Sequence, residues 1–422
     1  MLLAAVFFLA YAGVFCFRAA PEQGIWHKTY VTAAQRLMAQ TSLHVATGDD
    51  AYAYPSAMAL LAIPLALLSP QWSLIAWYLV NVAAICVAVT CGWRLAGGPS
   101  WIAVSRVWRW VLLVTIALAG KHLISPLENQ QTDIVIAACL FSGLYLIAER
   151  RPAAGGALVG LGAAMKCTPL LFIPYLLWRK QWLAAAAAAG VAVGVNLAPD
   201  WIYPQTNGLS YLGDWKTVYL TGVAQNAPGE WAEDQPSQTR LSANQSLAGF
   251  FHRAVIYGFP TSYPQLEKLP LHSGGQAVGK IRLFVYGSAL LLAGVTAWWI
   301  GWPGNPAKLP TGVGGRGSWR MACECSAVLS LMVLVSPMSS KAHYVVLILP
   351  CFILTRLWLT QRPAWSWVIL LALLISGPGT IKGIVGKPLG ELFMFWGLPT
   401  LFPLATLVGI WLALHEDGGK KQ

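Results

Sequence analysis

The chain has 422 residues, of which 57% are hydrophobic and only 10% charged, whereas a soluble domain carries roughly a quarter charged residues. That composition excludes an ordinary water-soluble globule, and apolar stretches such as 283–302 and 345–358 make lipid the solvent for most of the chain. The formal charge of +12, from 28 Lys and Arg against 16 Asp and Glu, is then a matter of loop placement and not a nucleic-acid footprint, since no arginine-rich arm or zinc-ligand spacing accompanies it.

Residues 1–17 predict a first, retained span, because no basic flank and no small-residue cleavage site accompany the apolar run. An outer loop, 18–56, follows. Within it, 27–42 sets Tyr30, Val31, Ala34, Leu37 and Met38 at helical spacing, which predicts an amphipathic helix lying on the outer membrane surface. Further apolar segments run at 57–68, 72–92, 109–124, 134–148, 153–177, 183–198, 283–302, 321–336, 344–360, 364–378 and 390–414, giving about ten to twelve passes. Ser69-Pro70-Gln71 is either a turn or a kink. Many of the 21 Trp, among them Trp72, Trp93, Trp178 and Trp358, stand at segment ends as an interfacial belt.

The basic loops around Arg94 to Arg109, Glu149 to Arg151, Arg179-Lys180, 303–320 and Arg356 to Arg362 are assigned to the cytoplasm. The complementary connections, including the long 199–281 segment, then face outside and hold most of the acids. Segment 153–177 has basic flanks at both ends and carries Lys166 and Pro169 in its middle. A broken, re-entrant helical hairpin satisfies both features, because an interrupted backbone and a buried ammonium are tolerated where they line a cavity. The expected fold class is therefore all-α: a polytopic integral membrane helical bundle, one membrane-embedded domain over 1–422.

Several polar groups stand where chemistry is possible. Asp49 and Asp50 are adjacent carboxylates at a membrane mouth, suited to a general base or a metal, with a solvated loop as the plain alternative. Tyr54 follows as an interfacial anchor. The run 125–133, with Glu128, Asn129 and Gln130, joins two spans and offers amides that suit sugar hydroxyls; helix capping by Thr132 or Asp133 is the alternative. Lys166, in mid-segment, calls for an anion, either a lipid phosphate or an internal Asp. Lys341 and His343 make a donor pair at the outer interface that can meet a phosphate. Asn244 and Gln245 either cap the next helix or face the outer cavity. The eight Cys lie mostly inside apolar runs as small hydrophobes, and no metal site is assigned.

The order of these motifs carries a resemblance. Tyr52-Ala53-Tyr54-Pro55-Ser56, Asn129-Gln130, Gly160 through Lys166-Cys167-Thr168-Pro169, Asn244-Gln245-Ser246-Leu247-Ala248, and Ser336-Pro337-Met338-Ser339 followed by His343 together resemble glycosyltransferase family 87 over roughly residues 25–360. The resemblance implies a glycosyltransferase C-type fold in the cytoplasmic membrane of a bacterium, with the active site facing outside. The reaction it implies is inverting transfer of a hexose, mannose first, from a polyprenyl-phosphate donor to a lipid or glycan acceptor, with no organic cofactor and the need for a divalent ion left open. It also implies a first-loop Asp as base, but alignment on Ala33-Ala34 puts Trp26 or His27 at that position. The base then falls to Asp50, Asp49 or His27. Lys166, Lys341 and His343 become donor-phosphate contacts, and Tyr54, Glu128, Asn129, Gln130, Asn244 and Gln245 sugar or acceptor contacts. The rival expectation is a non-catalytic transporter or flippase of lipid-linked sugars.

Overall fold

A computed structural model describes residues 22, 24–44, 52–221, 228, 242–262, 275–301 and 316–419. The expected first span, Asp49 and Asp50 lie outside the described residues. Among the described residues there is no strand, as expected of a chain whose backbone groups must be satisfied within each segment in lipid. In chain order the helices are α1 (Thr32–Met38, entered through a wide turn Trp26–Val31), α2 (Ala57–Ala66), α3 (Pro70–Leu95), α4 (Arg106–Glu128), α5 (Asp133–Ala148), α6 (Pro152–Met165), α7 (Phe172–Trp178) and α8 (Trp182–Ile202). Then come α9 (Tyr211–Trp215), α10 (Leu247–Ile256), α11 (Gly275–Ile300), α12 (Arg316–Val335), α13 (Ile348–Thr360), α14 (Ala364–Ser376), α15 (Lys382–Val385), α16 (Lys387–Phe395) and α17 (Leu401–Gly419).

Among the described residues seven helices are long and apolar enough to cross a membrane: α3, α4, α8, α11, α12, α13 with the turn that opens it, and α17 with the turn before it. The protein is a polytopic helical membrane protein. Helices α5, α6 and α14 have 16, 14 and 13 residues, short of the roughly 20 that span a bilayer unaided.

A group of arginines, Arg94, Arg179, Arg320 and Arg356 among them, gathers at one end. There the Arg356 guanidinium donates to the Ala96 carbonyl at 2.6 Å, and Trp365 Nε1 to Glu416 at 2.9 Å. The buried Glu324 accepts from Arg179, from Arg320 Nε at 2.9 Å and from the Tyr175 hydroxyl at 3.1 Å. Arg179 and Arg320 also both donate to the Ile300 carbonyl, at 2.9 and 3.0 Å, so α7, α11 and α12 are tied together by one carboxylate and one carbonyl. This acid inside a basic cluster was not singled out in the sequence.

The expected hairpin at 153–177 is present. Helix α6 ends at Lys166, whose backbone is extended (φ −155°, ψ 125°), and the chain turns through Thr168–Leu171 into α7. Side-by-side contacts give its direction. A Cβ on Gly156 would strike the Ala184 main chain and one on Gly160 the Ala188 main chain, so α6 runs parallel to α8. Because α8 begins four residues after α7 ends, α7 has returned the chain to the level where α6 started. Glycine and alanine let these backbones meet without side chains between them.

Two expectations are corrected and one open alternative is settled. The 27–42 helix does not lie open on a membrane surface: Trp26, Tyr30, Val31, Ala34 and Leu37 are buried in the protein core, with Trp26 stacked on Trp77 at 4.1 Å. Ser69-Pro70 is a turn, with Ser69 extended and Pro70 opening α3, where its missing N–H costs nothing. Segment 390–414 is two helices, α16 and α17, separated at Gly397, whose φ of 73° suits glycine.

Candidate active site

At the end opposite the basic cluster, α5 begins with Asp133 and α6 ends at Lys166. Since α5 and α6 form an antiparallel pair in which Gly143 and Gly155 approach each other closely, the start of one and the end of the other share a level. The Lys166 ammonium donates to Asp133 Oδ1 at 2.8 Å. His343, from the turn that opens α13, places Nε2 4.0 Å from the same oxygen. Asp133 is buried, at 6% side-chain exposure, and Lys166 and His343 are largely covered, at 12% and 14%. They line a narrow slot with Ile136, Thr168, Met332, Val333, Ser339 and Val346.

The slot is chemically unbalanced on one atom. Asp133 Oδ2 is buried and meets no donor among the described residues, although a buried carboxylate oxygen usually accepts at least one hydrogen bond. His343 Nδ1 accepts from the Ser340 amide at 2.8 Å, which leaves the ring proton on Nε2, facing the slot. One ammonium and one imidazole N–H thus converge in a slot that Thr168 also lines, a donor set that fits phosphate oxygens.

The first loop closes one side. Tyr54 sets its ring 5.8 Å from the Lys166 nitrogen and 5.5 Å from Tyr30, and burial raises the phenols of Tyr52 and Tyr54 well above their ordinary range, keeping them neutral. His44 Nδ1 is 2.9 Å from the Tyr52 carbonyl, so the chain leaving at residue 44 and returning at residue 52 is pinned at its base. Position 26 fills the core: besides its stacking, Trp26 donates from Nε1 to Ser73 at 2.9 Å and from its amide to Gln130 Oε1 at 3.1 Å. His27 sits beside it, half-buried, with Nδ1 meeting no partner among the described residues.

Of the residues expected to act, Lys166, His343 and Tyr54 come together, and Asp133, treated in the sequence only as a cap or an unnamed counter-ion, is their hub. Lys341 does not join them. Two residues earlier in the same turn, it points the other way and donates to Thr380, at 2.8 Å to Oγ1 and 3.0 Å to the carbonyl. Gln130 holds Trp26, while Asn129 returns its amide to the Ser125 carbonyl at 2.7 Å and Glu128 pairs with Lys121 at 2.8 Å on the surface. Asn244 and Gln245 are buried scaffolding. The Asn244 Oδ1 accepts from the Ser339 amide at 3.1 Å and its Nδ2 donates to the Pro337 carbonyl at 3.0 Å. Gln245 donates to the Ser242 and Met394 carbonyls at 2.6 and 2.8 Å, and its own carbonyl accepts from Tyr344 at 2.8 Å. Their amides fix the 336–344 loop that delivers His343.

Three comparisons bear on this arrangement. The sequence model of glycosyltransferase family 87 matches residues 52–337, a stretch that includes Tyr54, Asp133 and Lys166. A polyprenol-phosphate-mannose-dependent α-(1-2)-phosphatidylinositol pentamannoside mannosyltransferase of Mycolicibacterium smegmatis is 28% identical over 182 residues, which is 42% of this chain and 42% of that protein. No solved structure matches.

Proposed function

The chain belongs to glycosyltransferase family 87, and from that premise we propose that it transfers a hexose, mannose first, from a polyprenyl-phosphate donor to a lipid or glycan acceptor. We place the reaction on the outer face of a bacterial cytoplasmic membrane, with inversion at the anomeric carbon. The convergence of Lys166 and His343 on Asp133 in a buried slot is the observation that carries this reading. The relative's name supplies mannose as the first sugar to test and a phosphatidylinositol mannoside as the first acceptor.

The chemistry divides between two faces of the sugar. The acceptor hydroxyl oxygen forms the new bond to C1 as the bond from C1 to the phosphate oxygen breaks, and the lipid phosphate leaves with its electron pair. Charge growing on that phosphate is met by the Lys166 ammonium and the His343 Nε2–H, in a site walled from water where fixed donors act strongly. The acceptor proton goes to a base on the opposite face. Asp133 touches the phosphate donors and therefore stands on the wrong face to be that base. Asp50 is four residues from Tyr54, whose ring lies by Lys166, so its Cα is at most about 14 Å from that of Tyr54. This supports Asp50, with Asp49 and His27 as the other first-loop candidates.

The test uses the purified protein with labelled polyprenyl-phosphate mannose and phosphatidylinositol mannosides. Glycolipid product is expected, with loss of at least about a hundredfold in kcat for Asp50→Asn and for Lys166→Gln. Full activity in the combined Asp49→Asn, Asp50→Asn protein would move the base to His27. Movement of labelled lipid across vesicles without any glycosidic product would replace the transferase reading with a transporter.

A further inference from the structure

We propose that Lys341, with Lys121 and Lys382, forms a second anion site, separate from the slot, that binds the phosphate group of a membrane lipid at the end of the bundle opposite the basic cluster. The site is assembled from three elements: Lys121 near the end of α4, Lys341 in the turn before α13, and Lys382 opening α15. Thr380, just before Lys382, anchors the Lys341 ammonium through its hydroxyl and its carbonyl. Both are neutral acceptors, so they orient the cation and leave its charge in place.

The flanking lysines already have acids. Lys121 pairs with Glu128 at 2.8 Å and Lys382 with Glu391 at 3.1 Å. Among the described residues no carboxylate lies within ion-pair distance of Lys341. This is the uncompensated charge of the group, and it is half-buried. Burial, then the nearby positive charges of Lys121 and Lys382, depress its pKa from 10.5 to about 8. Folding has thus brought an ammonium toward two others with no acid of its own among the described residues, an arrangement that an anion relieves. A phosphate fits because it has several acceptor oxygens: one can replace the Thr380 contacts on Lys341 while others face the exposed ammonium of Lys382 and the half-buried one of Lys121.

The source of that phosphate is either a lipid headgroup or free phosphate, and the placement favours the lipid. Lys341 stands just before the membrane-spanning helix His343–Thr360, and Lys121 lies two turns from the end of Arg106–Glu128, at the level where headgroups begin. One residue, Ala342, separates Lys341 from His343, so a lipid held here stands beside the loop that delivers His343 to the slot. Its use as an acceptor anchor rests on the proposed transfer reaction; the binding itself does not.

The experiment measures binding without turnover. The full chain is reconstituted in phosphatidylcholine nanodiscs containing 10% phosphatidylinositol, and co-purified lipid is counted by native mass spectrometry, with a parallel arm in phosphatidylcholine alone plus inorganic phosphate. Wild type and Lys341→Arg are expected to retain one more phosphatidylinositol than Lys341→Met, with at least a fivefold difference in apparent affinity, while Lys166→Gln retains it. An unchanged melting temperature in Lys341→Met establishes that the fold is intact. Retention of phosphate in the second arm, lost in Lys341→Met, without a lipid difference in the first, supports the site and assigns it to the free ion. Equal retention by Lys341→Met and wild type in both arms overturns it.

Discussion

At the residue scale, Asp133 illustrates how a charge can be both buried and useful. Its carboxylate is stabilised by Lys166 at 2.8 Å, and removing one member of such a pair leaves the other uncompensated in a dry site, at a cost of about 3–5 kcal/mol. Asp133→Asn is therefore expected to lower stability by that amount, and the combined Asp133→Asn, Lys166→Met protein to recover most of it, as read from urea or thermal melts of the purified protein. Additive losses would show that the two side chains do not act as a pair. The sequence made Lys166 visible, because an ammonium in an apolar run needs an anion, but Asp133 lies 33 positions away and has the local appearance of a helix cap. Its identity as the partner is fixed by the pairing of α5 with α6, which no local pattern encodes. Lys341 and His343 failed in the opposite way. Two positions apart, they looked like one donor pair, yet the turn sends one side chain to Thr380 and the other to Asp133.

Among the elements, the contact of α6 with α8 is the most demanding. Gly156 and Gly160 leave no room for a side chain against Ala184 and Ala188, whereas Gly190 and Gly194 on α8 have nothing within 4 Å of an added Cβ. Gly160→Leu is expected to force the helices apart and destabilise the protein by about 1–3 kcal/mol, while Gly190→Leu changes stability by less than about 0.5 kcal/mol. Thermal melts of the two variants check this, and equal effects would contradict the packing described. The hairpin itself was legible in advance, since basic flanks on both sides of a segment with an internal lysine and proline leave few ways to thread it. The surface placement of the 27–42 helix was not. Its apolar stripe is real, but a stripe records that one face avoids water and is silent on whether lipid or protein covers it; here Trp77 and its neighbours do. Asn244 and Gln245 fall in the same class, because an amide pattern declares a need for partners without saying that those partners are main chain.

On the scale of the whole molecule, a set of arginines marks one end. It holds Arg94, Arg150, Arg151, Arg179, Arg320 and Arg356, and the opposite end holds Asp133, Asp200 and Asp214 beside Lys121, Lys166, Lys341 and Lys382. With basic loops retained in the cytoplasm, alkaline phosphatase fused after Asn207 is expected to be active and a fusion after Gln361 inactive. The reverse pattern would put the slot in the cytoplasm. Composition alone was enough to assign the bundle to lipid, and loop charges supply the orientation that these fusions test. What composition could not reach was the rotation of each helix about its axis, which decides the polar side chains that meet.

The knot around Glu324 has a mechanical meaning. Arg179, Arg320, Tyr175 and the Ile300 carbonyl bind α7, α11 and α12 at one extremity, and the slot at the other is crossed by the Lys166–Asp133 pair. A bundle fastened at one end behaves as a set of levers: a small tilt at the knot becomes a larger gap some 30 Å away, as α12 is 20 residues long. On the proposed transfer reaction, the mouth through which a long-chain donor would enter and a pivot at Glu324 would thus lie at opposite ends of α12.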